Sequence, residues 1–355
     1  MTIETPQRDI ASIQILRGIA ALMVVLVHLN PQLHRMGHSE PWPAWLNAGV
    51  DIFFVISGFI MWVSTEANAQ RTAREFMLNR IIRIVPLYWA LTLAMVAMMI
   101  VAPNLLQSAV FDTAHVLKSF LFLPARHPAT GLFFPVVIPG WTLNYEMFFY
   151  LLFAIAIALS GGRSSIRGLL VAVFICSALL LAWGLTSAVD VAEFYASTIM
   201  LEFLFGIAIG HLYVTRKVNP HLRWWGMTLV GFGLLSLTEF YDIPRFISAG
   251  LPSAMIVAGA AFGTPLNLIP LKQLGDVSYS LYLSQVISLS ALGQSWRFVG
   301  LGRLHPALFC VVAIVVSIAV AAIIYRLIER PLTRAAKRSL MQPARASERA
   351  LSTGS

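Results

Sequence analysis

The segment RGIAALMVVLVH, residues 17–28, places two ionisable side chains in an otherwise apolar run. The run around it, residues 13–30, approaches the roughly 20 residues with which a helix crosses the hydrocarbon of a bilayer. Arg17 and His28 are 11 positions apart, which returns both to nearly the same helix face, about 16 Å apart along the axis. The segment therefore predicts a membrane-spanning helix with one polar face.

The composition extends this prediction to the whole chain. Of its 355 residues, 58% are hydrophobic and 12% are charged, whereas soluble domains contain about 45–50% apolar and about 25% charged residues. Apolar runs of spanning length recur along the sequence with short polar breaks between them. We therefore predict an all-α integral membrane protein, a single bundle of about ten transmembrane helices.

The predicted spans are residues 13–30, 46–64, 83–102, 140–159, 168–187, 194–213, 225–241, 246–263, 277–293 and 305–328. Around them we expect a cytoplasmic N-terminal segment (1–12), a transmembrane domain (13–335) and a basic, disordered cytoplasmic tail (336–355). Most of the 25 Lys and Arg residues then lie in cytoplasmic segments, as the positive-inside rule requires. The net charge of +9 is thus an orientation signal, and we expect no nucleic-acid partner.

Two carboxylates are predicted near His28. An ionisable group inside a membrane helix costs about 2.5–3.5 kcal/mol on insertion scales, so each one requires a partner, a cavity or a function. Asp51 in GVDIFFVISGFI and Glu146 in WTLNYEMFFY each lie near the start of a helix that enters from outside. We expect both at about the depth of His28. A carboxylate that orients one imidazole nitrogen leaves the other free to accept a proton, so His28 is the candidate general base.

Arginines are concentrated at the opposite, cytoplasmic end of the predicted bundle. The stretch REFMLNRIIRIVPLYW carries Arg74, Arg80 and Arg83 at the entrance to the third span, and Arg17 adds a cation from the first. Guanidinium groups suit the recognition of phosphate. The pattern predicts an anion-binding mouth that receives a phosphorylated donor.

Simpler interpretations stay open for several of these residues. Arg74 and Arg80 can be orientation charges, and Arg17 can extend toward the interface. His28 by itself can be a structural hydrogen-bonding residue. Glu202, in LEFLFGIAIG, can be the partner of an arginine or a structural charge.

The longest connection, residues 103–139, is predicted to lie outside, and connections of that length are often functional. We expect the histidines of the outer segments to be solvated, namely His34, His38, His115 and His127. An interfacial aromatic belt is an alternative role for Trp62, Tyr88 and Trp141.

Six segments follow one another in the order known from one protein family: RGIAALMVVLVH, GVDIFFVISGFI, RIIRIVPLYW, WTLNYEMFFY, LGDVSYSLYLSQ and IERPLTR. Over about residues 10–335 the chain resembles membrane-bound acyltransferase family 3, whose members O-acylate extracytoplasmic carbohydrates. The resemblance implies acetyl-CoA or another acyl-CoA as cytoplasmic co-substrate and a sugar hydroxyl as acceptor, for example in exopolysaccharide or lipopolysaccharide. It also implies a bacterial inner membrane location. The distribution of Lys and Arg and the even number of spans predict that both termini lie in the cytoplasm.

The resemblance maps the family's signature pair onto Arg17 and His28. The candidate catalytic residues are Arg17, His28, Asp51 and Glu146; the candidate coenzyme A ligands are Arg17, Arg74, Arg80 and Arg83; the candidate substrate-binding residues are Ser57, Trp141, Tyr145 and Tyr279. One position departs from the family, because Gln285 stands after SYSLYL where members often have His. No metal is expected, since no metal-ligand spacing surrounds Cys176 or Cys310.

Two other functions compete with acyl transfer. A proton-coupled secondary transporter of a small anion or glycoconjugate would also bury Arg, His and Glu. Such transporters are built from internal repeats, and the sequence shows no repeat of fixed period. A noncatalytic membrane scaffold fits the intramembrane charges poorly.

Overall fold

The computed structural model of the protein describes residues 11–38, 42–68, 70–102, 110–215, 217–218, 220–237 and 243–340. Within these ranges the chain is helical, and its β-pairing is limited to one isolated bridge between Arg126 and Phe133. The prediction of an all-α protein is therefore confirmed.

The helices in chain order are α1 (Ala11–Arg35), α2 (Gly49–Glu66), α3 (Ala73–Val101), α4 (Thr113–Phe120), α5 (Trp141–Leu159), α6 (Ser164–Leu185), α7 (Asp190–Tyr195), α8 (Leu201–Val214), α9 (Trp224–Leu237), α10 (Leu251–Phe262), α11 (Ile269–Asp276), α12 (Ser278–Phe298) and α13 (Pro306–Ile324). A 3₁₀ turn (Ala44–Ala48) precedes α2, a π-helical turn (Phe246–Gly250) precedes α10, and another (Tyr325–Glu329) follows α13. The helix that contains α13 extends to Leu340.

Six helical segments among the described residues are long and apolar enough to cross a membrane: α1, α2 with its 3₁₀ turn, α3, α5, α6 and the helix that contains α13. Shorter apolar helices contain α8, α9 and α10. Each of the ten predicted spans overlaps a helix of the structure. The number that cross the bilayer stays a prediction. Most of the predicted N-terminal segment and the tail beyond Leu340 lie outside the described residues.

The third helix begins at Ala73, ten residues before the predicted span. A capping box starts it, because the Thr72 side chain accepts from the Glu75 backbone N–H and the Glu75 side chain accepts from the Thr72 backbone N–H. This exchange satisfies two of the free N–H groups that every helix start exposes. Arg74, Arg80 and Arg83 therefore lie on a helix rather than in a loop, and their directions follow helical periodicity.

Glycines set the spacing of α2 against its neighbours. A Cβ atom on Gly49 would lie 2.6 Å from the Ala20 carbonyl oxygen, so α2 begins in direct contact with the middle of α1. Gly58 of α2 and Gly206 of α8 meet in the same way, each against the backbone of the other helix. Small residues at helix interfaces permit this close approach in membrane proteins. The resulting core contains α1, α2 and α8.

Asp51 takes part in a buried ionic cluster. Its two carboxylate oxygens accept hydrogen bonds from Arg245, at 2.9 Å from Nε and 2.8 Å from Nη2. Asp51 and Glu202 are both fully buried, and the Glu202 carboxyl faces the Asp51–Arg245 pair. Asp51 therefore joins α2 to the turn before α10, and Glu202 adds α8 to the same cluster.

The outer connection between α3 and α5 is packed rather than solvated. Tyr88 donates a hydrogen bond to the Ser119 carbonyl, which attaches α4 to α3. His115 and His127 are 4% and 6% exposed, and their ring centroids lie 5.3 Å apart. The expectation that these two histidines are solvated is wrong, because α4 folds back onto the bundle and covers them. Likewise Trp62 and Tyr88 are core residues rather than belt residues.

The Asp51–Arg245 pair predicts a large effect on stability. Arg245→Met leaves a buried carboxylate without its partner, which costs about 3–5 kcal/mol in comparable sites. We expect a clearly lower melting temperature for the detergent-solubilised variant. The matched control is Arg126→Met, because Arg126 pairs with the exposed Glu193 and such pairs contribute about 0–1 kcal/mol. Equal shifts for the two variants would contradict the assignment.

The buried histidines predict an acid-sensitive outer segment. Burial lowers the pKa of His115 and of His127, and for His115 the neighbouring His127 and Lys118 lower it further while Asp112 raises it. A His whose pKa is depressed by folding contributes stability that is full above about pH 6.5 and is lost as the pH falls through the folded pKa. We expect hydrogen-exchange protection factors in residues 110–140 to be lower at pH 5 than at pH 7.5.

Two substitutions separate this effect from general acid sensitivity. His115→Phe removes one titrating ring and should reduce the loss of protection at pH 5. His34→Gln alters an exposed histidine of α1 and should leave the loss unchanged. Protection that is the same at both pH values in the unsubstituted protein would refute the prediction.

Candidate active site

A cavity of about 1800 Å³ is lined by α1, α2, α3, α5, α8, α10, α11 and α12. This volume exceeds the roughly 300–1,000 Å³ typical of pockets for drug-sized ligands. At one end the cavity is lined by Ala11, Asn68 and Lys272, and at the other by Val50 and Tyr282. In the predicted orientation the first end faces the cytoplasm. We call this space the donor cavity.

Cations line the inner part of the donor cavity. Arg17, Arg80 and Arg83 all contribute to its wall, as predicted from their positions in the sequence. Arg71 and Lys272 also line it, and neither was identified from the sequence. Their signal was weak, because both stand in short polar segments where basic residues serve as orientation charges.

Arg74 is the predicted cation that the structure does not bring to the donor cavity. It is exposed near the start of α3 and is not part of the cavity wall. Six residues separate it from Arg80, a rotation of about 240° at 100° per residue. Arg80 and Arg83 differ by three residues and share a face. Once the helix is known to begin at Ala73, periodicity alone excludes Arg74.

Arg83 is held by a buried carboxylate that the sequence reasoning missed. Its Nη1 lies 2.5 Å from Oε1 of Glu329, and Ser280 donates a hydrogen bond of 2.6 Å to the other carboxylate oxygen. Glu329 is only 2% exposed. It belongs to the IERPLTR segment, so its position as a carboxylate in an apolar helix could have been noticed. The pair joins α3 to the turn after α13.

Polar neighbours orient the other two arginines. Arg17 donates a hydrogen bond of 3.2 Å to Gln14, whose side-chain amide donates to Asp276 at 2.8 Å. Arg80 donates to Ser64 at 3.3 Å. Arg17 thus faces the donor cavity, and the alternative in which it extends to the interface is not what the structure shows.

Glu146 lies in the wall of the donor cavity and not beside His28. It accepts a hydrogen bond of 2.8 Å from Ser57 and a second one from Tyr150. Ser57 and Tyr279 also line the cavity, and the Tyr279 hydroxyl donates to the Ile84 carbonyl at 2.8 Å. The donor cavity therefore brings together six predicted site residues: Arg17, Ser57, Arg80, Arg83, Glu146 and Tyr279.

His28 lies outward of the donor cavity and is not part of its wall. The hydrogen bond that the structure gives to its ring joins Nδ1 to the Val24 carbonyl oxygen at 2.8 Å. Because a carbonyl oxygen only accepts, Nδ1 carries the proton and Nε2 keeps a free lone pair. A backbone carbonyl thus provides the orientation that we expected from a carboxylate.

The predicted layer of His28, Asp51 and Glu146 does not form, and helix register explains why. Since Gly49 contacts Ala20 and Val24, α2 begins level with the middle of α1. The helical rise then places Asp51 about 10 Å inward of His28 along the bundle. Glu146 lies deeper still, level with Ser57. The expectation that either carboxylate orients His28 is therefore wrong.

The imidazole nevertheless points toward the bundle. Val24 and His28 are four residues apart, which places them on the same face of α1. Val24 packs in a buried apolar cluster with Val50, Leu143 and Tyr282. His28, which is half-buried, lies one turn outward of this cluster. The cluster separates it from the donor cavity.

The remaining predicted residues lie at the outer end of α5 and in α12. Trp141 and Tyr145 pack edge to face with ring centroids 6.0 Å apart, and neither lines the donor cavity. The Tyr145 hydroxyl donates to the Phe194 carbonyl. Gln285 is fully buried, and its side-chain amide donates to the Tyr282 carbonyl at 3.2 Å. Trp141 and Tyr145 are thus in contact with each other, and none of these three residues lines the donor cavity.

Comparison with known proteins identifies a family and several relatives. A family model described as an acyltransferase domain matches residues 10–326. The chain is 36% identical over 299 residues to the exopolysaccharide production protein ExoZ of Rhizobium meliloti, an alignment that covers 81% of this chain and 89% of that protein. No solved structure matches the chain.

More distant relatives are longer. The O-acetyltransferase OatA of Staphylococcus aureus is 23% identical, with 90% of this chain and 56% of that protein aligned. The putative peptidoglycan O-acetyltransferase YrhL of Bacillus subtilis is 22% identical, with 92% of this chain and 55% of that protein aligned. The chain thus spans about half the length of these two proteins.

Because the family model extends from α1 into the turn after α13 and includes both Arg17 and His28, the chain belongs to the acyltransferase 3 family and is a membrane-embedded O-acyltransferase.

Proposed function

We propose that the protein transfers an acyl group, most simply acetyl, from acyl-CoA on the cytoplasmic side to a hydroxyl of an extracytoplasmic carbohydrate. The observation that carries this proposal is the arginine-lined donor cavity, whose outer end meets the apolar cluster that contains Val24, with the imidazole of His28 and its free Nε2 on the outward side of that cluster. The similarity to ExoZ, whose printed name refers to exopolysaccharide production, supports exopolysaccharide as the acceptor class, with lipopolysaccharide as the alternative. The family match favours transfer over the transporter alternative.

The donor cavity suits the negative charge of coenzyme A. The phosphates of coenzyme A would lie among Arg17, Arg71, Arg80, Arg83 and Lys272, all of which line the wall. Guanidinium groups bind phosphate with paired, charge-assisted hydrogen bonds. The pantetheine arm would then extend past Ser57 and Glu146 toward Tyr282. This direction brings the thioester to the end of the cavity nearest His28.

His28 acts as the general base in the proposed reaction. Its Nε2 accepts the proton of the acceptor hydroxyl, and the oxygen forms a bond to the thioester carbonyl carbon. The carbon–sulfur bond breaks, and the leaving thiolate receives the proton from the imidazolium, which regenerates neutral His28. A route through an acyl-histidine intermediate uses the same nitrogen.

The other predicted residues divide between donor and acceptor. Ser57, Glu146 and Tyr279 line the donor cavity and are proposed to contact the donor. Trp141 and Tyr145 lie at the outer start of α5 and are proposed to contact the carbohydrate. The protein would lie in a bacterial inner membrane with both termini in the cytoplasm.

Substitution of the proposed base tests the mechanism. His28→Ala should abolish O-acylation of the surface carbohydrate, because a general base contributes about 10²–10⁴-fold to the rate. The measurement is mass spectrometry of surface glycans from a deletion strain that expresses each variant at equal membrane levels. His34→Ala, an exposed position on the same helix, should retain acylation. Retained acylation in His28→Ala would refute the assignment.

The placement of the arginines predicts that two substitutions in α3 have different effects on KM for acetyl-CoA. Arg80→Ala should raise KM for acetyl-CoA by about 10-fold to 100-fold, because Arg80 lines the donor cavity with a neutral partner, Ser64, and a hydrogen bond to a charged group contributes about 1.5–3 kcal/mol. Arg74→Ala should leave KM unchanged, because Arg74 is exposed and lies outside the cavity wall. Steady-state kinetics of purified protein in nanodiscs would measure both. An equal rise in KM for the two variants would contradict the donor site.

A further inference from the structure

The residues of α2 that face the donor cavity form a stripe that has a polar residue at its inner end and an aromatic residue at its outer end. Phe53, Ser57, Ile60 and Ser64 recur at helical spacing and all line the cavity. The stripe is polar near Arg80, whose guanidinium bonds Ser64, and aromatic at its outer end. An acyl-CoA has the same order, with charged phosphates at one end and an apolar acyl group at the other. The outer end therefore matches the acyl group.

Near the outer end of the donor cavity, side chains from three helices contact one another. Phe53 of α2 packs edge to face on Tyr282 of α12, with ring centroids 5.7 Å apart and an interplanar angle of 65°. The Tyr282 hydroxyl lies 2.9 Å from Thr142 Oγ1 of α5. Thr142 and Tyr282 are 6% and 7% exposed. These contacts hold the three side chains together at this end of the cavity.

Among the side chains at this end of the cavity, Phe53 can be shortened without the loss of a side-chain hydrogen bond. Thr142 donates its own hydroxyl proton to the Pro139 carbonyl at 3.1 Å, so it accepts from Tyr282 and holds that ring in place. Phe53 has no polar group and is partly buried, with its ring against the cavity. Shortening Phe53 therefore enlarges the outer end without breaking a hydrogen bond.

We infer that Phe53, backed by Tyr282, is the residue that limits the transferred group to a short acyl chain. The inference rests on the proposed function, since it names the part of the donor cavity that would hold the acyl group. A longer chain would have to displace the Phe53 ring, which the anchored Tyr282 opposes. Discrimination between chains that differ by a methylene in an apolar pocket is typically about 10-fold to 200-fold.

The test compares kcat/KM for acetyl-CoA and butyryl-CoA in purified protein with its carbohydrate acceptor. The unsubstituted protein should prefer acetyl-CoA. Phe53→Ala should raise the butyryl-to-acetyl ratio about tenfold or more. The matched control is Ile60→Ala, which enlarges the same cavity from the same helix but two turns inward, and it should leave the ratio unchanged. Phe53→Leu, a smaller change, replaces Phe53→Ala if the latter does not accumulate.

The outcomes separate this inference from the function on which it rests. Absence of transfer from either acyl-CoA by the unsubstituted protein would overturn the proposed function. Normal acetyl transfer with the same ratio in Phe53→Ala and Ile60→Ala would overturn only the role of Phe53. Equal use of butyryl-CoA and acetyl-CoA by the unsubstituted protein would also overturn it.

Discussion

Charge pairing inside a low-dielectric bundle is the constraint on which this structure depends. An ion removed from water needs a partner of opposite charge, hydrogen bonds or a hydrated cavity. Three buried or half-buried ion pairs each join separate helical segments: Asp51–Arg245, Glu66–Arg167 and Arg83–Glu329. Arg17 and Arg80 instead face the donor cavity, with neutral amide or hydroxyl partners. Within the described part of the chain these two arginines have no carboxylate partner, and they are thus the most available to an anionic ligand among the arginines of α1 and α3 that line the cavity.

The same arrangement separates the two halves of the proposed reaction. The donor cavity holds the cations and Glu146, while His28 lies outward of an apolar cluster that includes Val24 and Tyr282. Such a cluster keeps the acyl donor apart from external water, and it makes the reactants meet near Tyr282. The proposed acyl transfer then depends on how far the thioester and the acceptor hydroxyl each extend toward Tyr282.

The hydrogen bond from His28 to a backbone carbonyl takes the place of the carboxylate partner that the sequence predicted for the imidazole. A carboxylate partner would stabilise the imidazolium by charge, whereas the Val24 carbonyl fixes the tautomer and contributes only a dipole. Asp51 is instead bound to Arg245, and Glu146 to Ser57 and Tyr150. His28, the proposed base, is therefore oriented by its own helix, and the carboxylates contribute to the packing of the bundle and to the wall of the donor cavity.

The sequence by itself determined the helical class, the positions of the apolar segments and the common face of Arg17 and His28, because hydrophobicity and helical periodicity are local properties. The family was identified by the resemblance of six segments, in their order, to acyltransferase family 3. Only the tertiary structure decided that Glu146 lines the donor cavity, that Arg74 does not, and that Glu329 and Arg245 are the partners of Arg83 and Asp51. Those facts depend on the register between helices, which is set by contacts such as Gly49 against Ala20 between residues distant in the chain. Helical periodicity specifies which face a side chain occupies, but the depth at which two helices meet depends on packing that no single segment contains.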